Sequence, residues 1–180
     1  QEDGSFAKKV ILKVSDYRSA LIQGKYLAKK GIWVREFRME SGLNCGGHAF
    51  ATDGILLGPI LEEFKTKRKE LTDAMFELYK SVIEKKLGYT FTEYPDVLVT
   101  VQGGIGAAEE DQLLRSYYDV ASSGWGTPFL LVPEATTVDE RTLELLKEAT
   151  EKDIVLSNNS PLGVRFQYLK GTTSDTEKQS

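Results

Sequence analysis

Cysteine and long apolar runs are scarce in this sequence. Cys45 is the only cysteine among 180 residues, so no disulfide can form within the chain. No apolar run approaches the ~20 residues of a membrane-spanning helix. We therefore expect a reducing compartment, most simply the cytoplasm, and no membrane among the partners.

A strong excess of either charge is also missing. The chain carries 23 Lys and Arg against 27 Asp and Glu, a net charge of -4, and a single histidine, His48. This balance lacks the basic footprint of a nucleic-acid or anionic-membrane binder, so small molecules or proteins are the expected partners. The basic run at residues 65–69 lies among Glu62, Glu63 and Glu70, which predicts a solvated helix face.

The length and composition fit one domain. With 180 residues and 41% hydrophobic content, the chain can bury one ordinary core. We predict a single domain over residues 1–170 and a disordered tail over 171–180. The chain starts at Gln1 rather than Met, which predicts that it has been cut from a longer protein.

The apolar pattern begins with a strand, a helix and a second strand. Residues 9–14 form a β-branched run, and Ser15 or Asp16 can cap the helix that follows. Gly31 ends that helix, and residues 32–39 form the next strand. A strand, helix and strand in this order predict a parallel pair joined by a right-handed crossover.

The same alternation continues along the chain. A long helix runs from Gly58 to Gly88, and its length predicts that it reaches beyond the sheet edge toward a partner or another domain. Residues 97–101 form an apolar strand of the kind buried in parallel sheets. A helix starts near Ala107, and residues 119–123 form a fourth, weaker strand.

The last third of the chain carries weaker signals. Thr137 and Glu140 have the spacing of a capping box, which predicts the start of another helix. Residues 153–157, residues 161–163 and Arg165 form a C-terminal extension.

Three glycine-bearing loops follow three of these strands. Their glycines are Gly46 and Gly47, Gly103 and Gly104, and Gly124 and Gly126. Because parallel strands place their C-terminal ends on one edge, the loops should meet where α/β proteins bind ligands. Their backbone N–H groups and the start of the helix near Ala107 would suit a phosphate.

Four motifs occur in the order and spacing of a known family. GLNCGGH at residues 42–48 resembles the Gly-x-Glu-Ala-Gly-Gly-His segment of nitronate monooxygenases, once called 2-nitropropane dioxygenases, and of related FMN-dependent enoyl-ACP reductases. VTVQGGI at 99–105 resembles the family's Ala-Gly-Gly-Ile strand end, and GTPFLLVPEA at 126–135 resembles its Gly-Thr-Arg-Phe-Leu-x-x-Pro-Glu-Ala. IVLS at 154–157 and PLGVR at 161–165 are similar to its closing segment.

The resemblance implies an α/β fold in which the parallel (β/α) units form the C-terminal half of a TIM (β/α)8 barrel. A typical barrel of this kind needs ~250 residues, so the first four strands would lie outside this chain. A half-barrel exposes two sheet edges and half a core. The expected partners are therefore the missing N-terminal half-barrel or a second copy, together with a small-molecule substrate.

The resemblance also implies an enzyme, an FMN-dependent oxidoreductase with monooxygenase activity. By resemblance, His48 lies beside the flavin and removes the proton α to the nitro group, after which the reduced flavin reacts with oxygen. The candidates for binding the FMN phosphate are Gly46, Gly47, Gly103, Gly104, Gly126 and Thr127.

Several residues depart from the family's pattern. Asn44 stands where the family has Glu, and Pro128 stands where it has Arg, so two charges are lost from the site. Cys45 and Gln102 stand in place of Ala; for Cys45 the expected role is a small buried filler. Trp125 replaces a smaller residue and is expected to pack against the phosphate loop or a neighbouring helix. The substrate can therefore differ from a nitroalkane.

Two other functions remain open on the sequence. The chain can be a non-catalytic half-barrel module that binds a phosphorylated ligand, or a partner domain through the helix over residues 59–87. A phosphate-binding barrel enzyme without flavin, such as a sugar-phosphate isomerase, would use the same glycine loops.

Overall fold

A computed structural model describes most of the chain. The described residues are 8–44, 54–88, 90, 93–132, 134–135, 137–157, 163, 165–173 and 176. Within them, helices and strands alternate from the first strand to the fourth.

The strands are β1 (Val10–Val14), β2 (Val34–Met39), β3 (Leu98–Gln102), β4 (Ser122–Gly124), β5 (Ile154–Ser157) and β6 (Phe166–Leu169). The α-helices are α1 (Tyr17–Lys29), α2 (Leu57–Leu87), α3 (Ala108–Tyr118) and α4 (Glu140–Glu148). Short 3₁₀ helices cover Gly42–Asn44, Thr127–Leu131 and Glu151–Asp153.

The first four strands form one parallel sheet. Their order is β1-β2-β3-β4, and each neighbouring pair is parallel. The predicted α/β class, with parallel strands alternating with helices, is confirmed.

The C-terminal extension forms a separate sheet that was not predicted. β5 and β6 pair antiparallel, with Ile154 opposite Leu169 and Ser157 opposite Phe166. The segment between them is shorter than the dozen or more residues that a parallel crossover needs. This pair is therefore not a further β/α unit.

Local signals set the ends of α1 as predicted. Asp16 is its N-cap, and the carboxylate accepts hydrogen bonds from the backbone N and the Oγ of Ser19, both at 2.7 Å. Gly31 has a φ of 76°, a left-handed conformation that glycine adopts without strain. The following strand begins two residues later than predicted, at Val34.

The long helix α2 is also confirmed, and Gly88 ends it with a φ of 64°. Toward the end of the helix Tyr79 and Ile83 are buried, whereas Leu78 is only partly buried. Burial follows the i, i+4 ridge of the helix there, because the ring of Tyr79 packs against buried Trp33 at 5.3 Å. In the described part of the chain, no helix is long and apolar enough to cross a membrane.

The start of α4 differs from the prediction. The expected capping box of Thr137 and Glu140 is wrong, because Asp139 is the N-cap and Glu140 is the first helical residue. The carboxylate of Asp139 accepts from Thr142 N at 3.0 Å and from Thr173 Oγ1 at 2.9 Å. These bonds lower the pKa of Asp139, the backbone bond from Thr142 most strongly.

The core lies on one face of the parallel sheet. Three successive right-handed crossovers that step in the same direction put α1, α2 and α3 on the same side. Val14, Phe37, Met39, Val99 and Val101 face these helices and are buried. Side chains alternate along a strand, so the opposite face carries the residues between them.

The basic run at residues 65–69 lies at the surface of α2, and its cations have partners within the chain. Lys67 and Lys69 pair with Glu63 and Asp73 at 2.7 and 2.6 Å, one helical turn away in each case. Arg68 pairs with Asp119 at 2.7 Å, and Lys65 Nζ lies 3.3 Å from the centroid of the Tyr117 ring. These contacts tie α2 to itself and to α3.

We predict that Gly24→Ala destabilises the protein, although alanine favours a helix more than glycine does. A Cβ at Gly24 would lie 2.6 Å from Met75 Sδ and 3.2 Å from Phe37 Cζ, and both side chains are fully buried. Overpacking of this kind outweighs the helix gain, and the free energy of unfolding should fall by about 1–2 kcal/mol.

Urea unfolding of the Gly24→Ala variant measures this change. Gly58→Ala in α2 is the matched control, since its Cβ would lie at an ordinary contact distance, 4.0 Å, from Tyr118 Oη. Equal stability of the wild type and Gly24→Ala would contradict the prediction.

Candidate functional site

The structure brings together the glycine loops that follow β3 and β4. Gly103 N–H donates to the carbonyl of Gly124 at 3.3 Å. Gly103 and Gly104 have φ values of 79° and 72°, a left-handed conformation that strongly favours glycine. Gly124 is the last residue of β4, so two of the three predicted loops start from adjacent strand ends at the C-terminal edge of the sheet.

The loop after β4 leaves open space at Gly126. This residue has a φ of -116° and precedes the 3₁₀ helix that starts at Thr127. A Cβ placed on Gly126 would meet no atom within 4 Å. The fold does not need glycine here for packing, and the space beside it is accessible to a ligand.

The remaining predicted site residues lie outside the described part of the chain. Gly46, Gly47 and His48 fall between Asn44 and Gly54, where residues 45–53 are not described. Their roles therefore stay predictions from the sequence.

The two ends of that segment are held together. Ser41, which is buried, donates its Oγ to the carbonyl of Ile55 and accepts from Leu43 N at 3.2 Å. A Cβ on Gly54 would lie 2.6 Å from Leu43 N and 3.0 Å from Gly42 C. The backbone after β2 therefore packs tightly against the residues that lead into α2.

The N-terminus of α3 does not offer all the amides that the sequence suggested. Gly106 N and Ala107 N donate to Glu110 Oε2 at 2.8 and 2.9 Å. Glu109, Glu110 and Asp111 also place three carboxylates in the first turn. A phosphate at this terminus would have to displace the carboxylate of Glu110. Glu110 reaches back to the N-cap amide as in half of a capping box, but Ala107 has no hydroxyl to complete the motif, so the sequence did not reveal this contact.

Trp125 belongs to a hydrogen-bonded chain that reaches α3. Its Nε1 donates to Ser123 Oγ at 3.0 Å, and Ser123 Oγ donates to Asp111 Oδ1. Arg115 Nε donates to Asp111 Oδ2 at 2.8 Å. The bonds from Arg115 and, less strongly, from Ser123 lower the pKa of Asp111. Trp125 also packs against the core, as expected of a packing residue.

A polar network covers the face of the sheet opposite the helices. Glu36 accepts from Arg38 Nη2 at 2.8 Å and from Thr100 Oγ1 at 2.6 Å. Glu40 pairs with Lys13 and accepts from Gln102 Nε2 at 3.2 Å. Of these residues only Gln102 stood out in the sequence, because the network joins three strands and a sequence does not show their register.

A separate cleft lies away from the glycine loops. Its volume is about 590 Å³, and it is lined by Asp73, Phe76, Glu77, Glu93 and Tyr94. Glu93 and Tyr94 precede β3, so the cleft lies near the N-terminal end of that strand. Among the predicted site residues that the structure describes, none lines it.

Comparison with known proteins adds no relatives. No protein-family model, no curated protein and no solved structure matches the chain. The family suggested by the four motifs therefore stays a hypothesis, and the geometry of the described residues carries the argument.

We predict that Gly54→Ala destabilises the junction between β2 and α2. The new methyl group would clash with backbone atoms of Gly42 and Leu43, which cannot turn away as a side chain can. The free energy of unfolding should fall by about 1–3 kcal/mol. Thermal unfolding measures it, and Gly126→Ala is the control because its methyl group meets open space. Equal losses in the two variants would contradict the prediction.

We also predict that the stabilising effect of Asp111 depends on pH. Its pKa in the folded protein is lowered, so its contribution is present above the unfolded pKa of about 3.9 and is lost as the pH falls through the folded pKa. The stability difference between wild type and Asp111→Asn should therefore shrink on acidification from about pH 6 to pH 3. Thermal unfolding, followed by tryptophan fluorescence, measures it, with Glu109→Gln as the control. A difference that stays constant with pH would refute this role of the carboxylate.

Proposed function

We propose that this chain forms one half of an FMN-dependent (β/α)8 oxidoreductase of the nitronate monooxygenase type, acting on a small-molecule substrate. One observation carries the proposal. The strand ends that carry two of the glycine loops are adjacent: Gly103, directly after β3, donates its N–H to the carbonyl of Gly124, the last residue of β4, two residues before the open space at Gly126.

The arrangement of strands supports the half-barrel. Four parallel strands follow one another in sequence order, and the helices between them lie on one face, as in each half of a (β/α)8 barrel. In the described sheet, β1 and β4 are the two edges. In the proposal these edges pair with the N-terminal half-barrel or with a second copy.

The loops after β3 and β4 fit a phosphate better than the helix terminus does. Gly103 and Gly104 bring backbone to the edge in a conformation that glycine favours, and Gly126 leaves room for an oxyanion. The amides of Gly106 and Ala107 donate to Glu110. In the proposal the phosphate therefore binds between the two loops, with the backbone of Thr127 on one side.

His48 is the base in this proposal. When bound, FMN would supply the redox chemistry, taking electrons from the substrate and passing them to oxygen. The role of His48 rests on the resemblance, and an imidazole with an ordinary pKa near ~6.5 can accept a proton at neutral pH. Gly46 and Gly47 would lie beside it in the same segment.

A non-catalytic phosphate-binding module is the second candidate. The adjacent strand ends, joined by the Gly103–Gly124 hydrogen bond, favour this module equally, since any phosphorylated ligand could use the same amides. The version that binds a partner domain through α2 has less support. The apolar face of α2, including Phe64, Leu71 and Met75, is buried in the chain's own core.

Titration with FMN, followed by quenching of flavin fluorescence, tests the proposal. Gly126→Ala should leave stability within about 0.5 kcal/mol of wild type and should weaken FMN binding at least tenfold by filling the space of the phosphate. Gly58→Ala is the matched control and should bind FMN as wild type does. The proposal fails if FMN does not bind saturably, or if Gly126→Ala binds it unchanged.

His48→Ala separates the two candidate functions. The oxidoreductase predicts that this variant keeps FMN and loses turnover of a nitroalkane, whose α proton His48 would remove. The binding module predicts that neither ligand affinity nor stability depends on His48.

A further inference from the structure

A row of polar side chains crosses all four strands on the face opposite the helices. The register places Lys13 beside Arg38, Arg38 beside Thr100, and Thr100 beside Ser122. Neighbouring strands are about 4.8 Å apart, so each residue of the row is separated from the next by about that distance along the backbone of the sheet. The row contains two cationic residues followed by two hydroxyl residues. Lys13 and Arg38 are each one residue from the C-terminal end of their strand, whereas Thr100 is the central residue of β3 and Ser122 is the first residue of β4.

Two carboxylates flank the row and orient its cations. Glu36 accepts from Arg38 through Nε at 3.1 Å and Nη2 at 2.8 Å, and Glu40 pairs with Lys13. Thr100 and Gln102 donate to these same carboxylates. The long side chains of the cations are thereby held in place before any ligand arrives, which lowers the entropy cost of binding.

Exposure distinguishes the cations from the carboxylates. The side chains of Lys13 and Arg38 are 41% and 38% exposed, whereas those of Glu40 and Glu36 are 11% and 14% exposed. A ligand that approaches the open face therefore meets the cations first. Because Coulomb energy falls with distance, the nearer cations outweigh the more deeply buried carboxylates.

We propose that the two adjacent cations of this row, Lys13 and Arg38, bind a small oxyanion, the carboxylate or phosphate group of a small molecule. Nε and Nη2 of Arg38 already donate to Glu36, so the oxyanion would bind the other edge of the guanidinium, through Nη1 and Nη2. The site does not require FMN and differs from the phosphate position at the glycine loops. It lies on the sheet face, in the row that crosses β3 at Thr100, two residues before Gln102, and β4 at Ser122, two residues before Gly124.

Calorimetric titration of the full chain with inorganic phosphate, and separately with succinate, tests the proposal at constant ionic strength. Saturable binding of either anion in the millimolar range is expected. Lys13→Gln and Arg38→Gln should each weaken it roughly ten- to a hundredfold, the effect of losing one charge-assisted contact. If phosphate binds more tightly than succinate, the group recognised is a phosphate; the reverse order identifies a carboxylate.

Three further variants keep the test decisive. Lys67→Gln removes a surface cation of α2 and should leave binding unchanged. Arg38→Lys keeps the charge and removes the planar fork, so it should bind more tightly than Arg38→Gln and less tightly than wild type, even if Arg38→Gln proves unstable. Loss of binding in Gly126→Ala but not in Arg38→Gln would place the anion at the glycine loops and overturn the proposal. Absence of saturable binding to the wild type would overturn it as well.

Discussion

The structure depends on one constraint, the direction in which its right-handed crossovers step. Each of α1, α2 and α3 carries the chain to the next strand on the same side, so all three helices cover one face of the sheet. That face takes the apolar side chains, among them Phe37 and Val99, which are buried. The other face is left for polar groups, and the strand ends gather the glycine loops at one edge. The core, the polar face and the candidate site are therefore consequences of the same topology.

The elements that local chemistry specifies were the ones that the sequence predicted well. Asp16 caps the start of α1, Gly31 follows its end, and Gly88 ends α2. N-caps and left-handed glycines act within a few residues, so the local sequence is enough to predict them. Features that depend on distant residues were missed or misplaced. Tyr79 is buried because Trp33 packs against it. β5 pairs with β6, a pairing that the sequence pattern did not indicate.

The same contrast between local and distant residues applies to the predictions for the candidate site. The alternation of strands and helices was sufficient to predict that the ends of β3 and β4 lie at the same edge, where Gly103 bonds to Gly124. The amides of Gly106 and Ala107 were misjudged because Glu110 competes for them. The network of Lys13 and Arg38 was missed, since which side chains are neighbours is decided by strand register. His48 remains a prediction.

The charges on the open face restrict what can cover it. Glu36 and Glu40 already have partners within the chain, while the side chains of Lys13 and Arg38 are partly exposed to water. An apolar surface laid over these cations would remove that water without replacing its hydrogen bonds, and buried charge of this kind is costly even when it is paired. Whatever closes this face, whether another half-barrel or a ligand, must therefore bring acceptors of its own. The interior of a (β/α)8 barrel is filled mainly by branched apolar side chains, so a barrel that closed over Glu36, Arg38 and Glu40 would depart from that pattern.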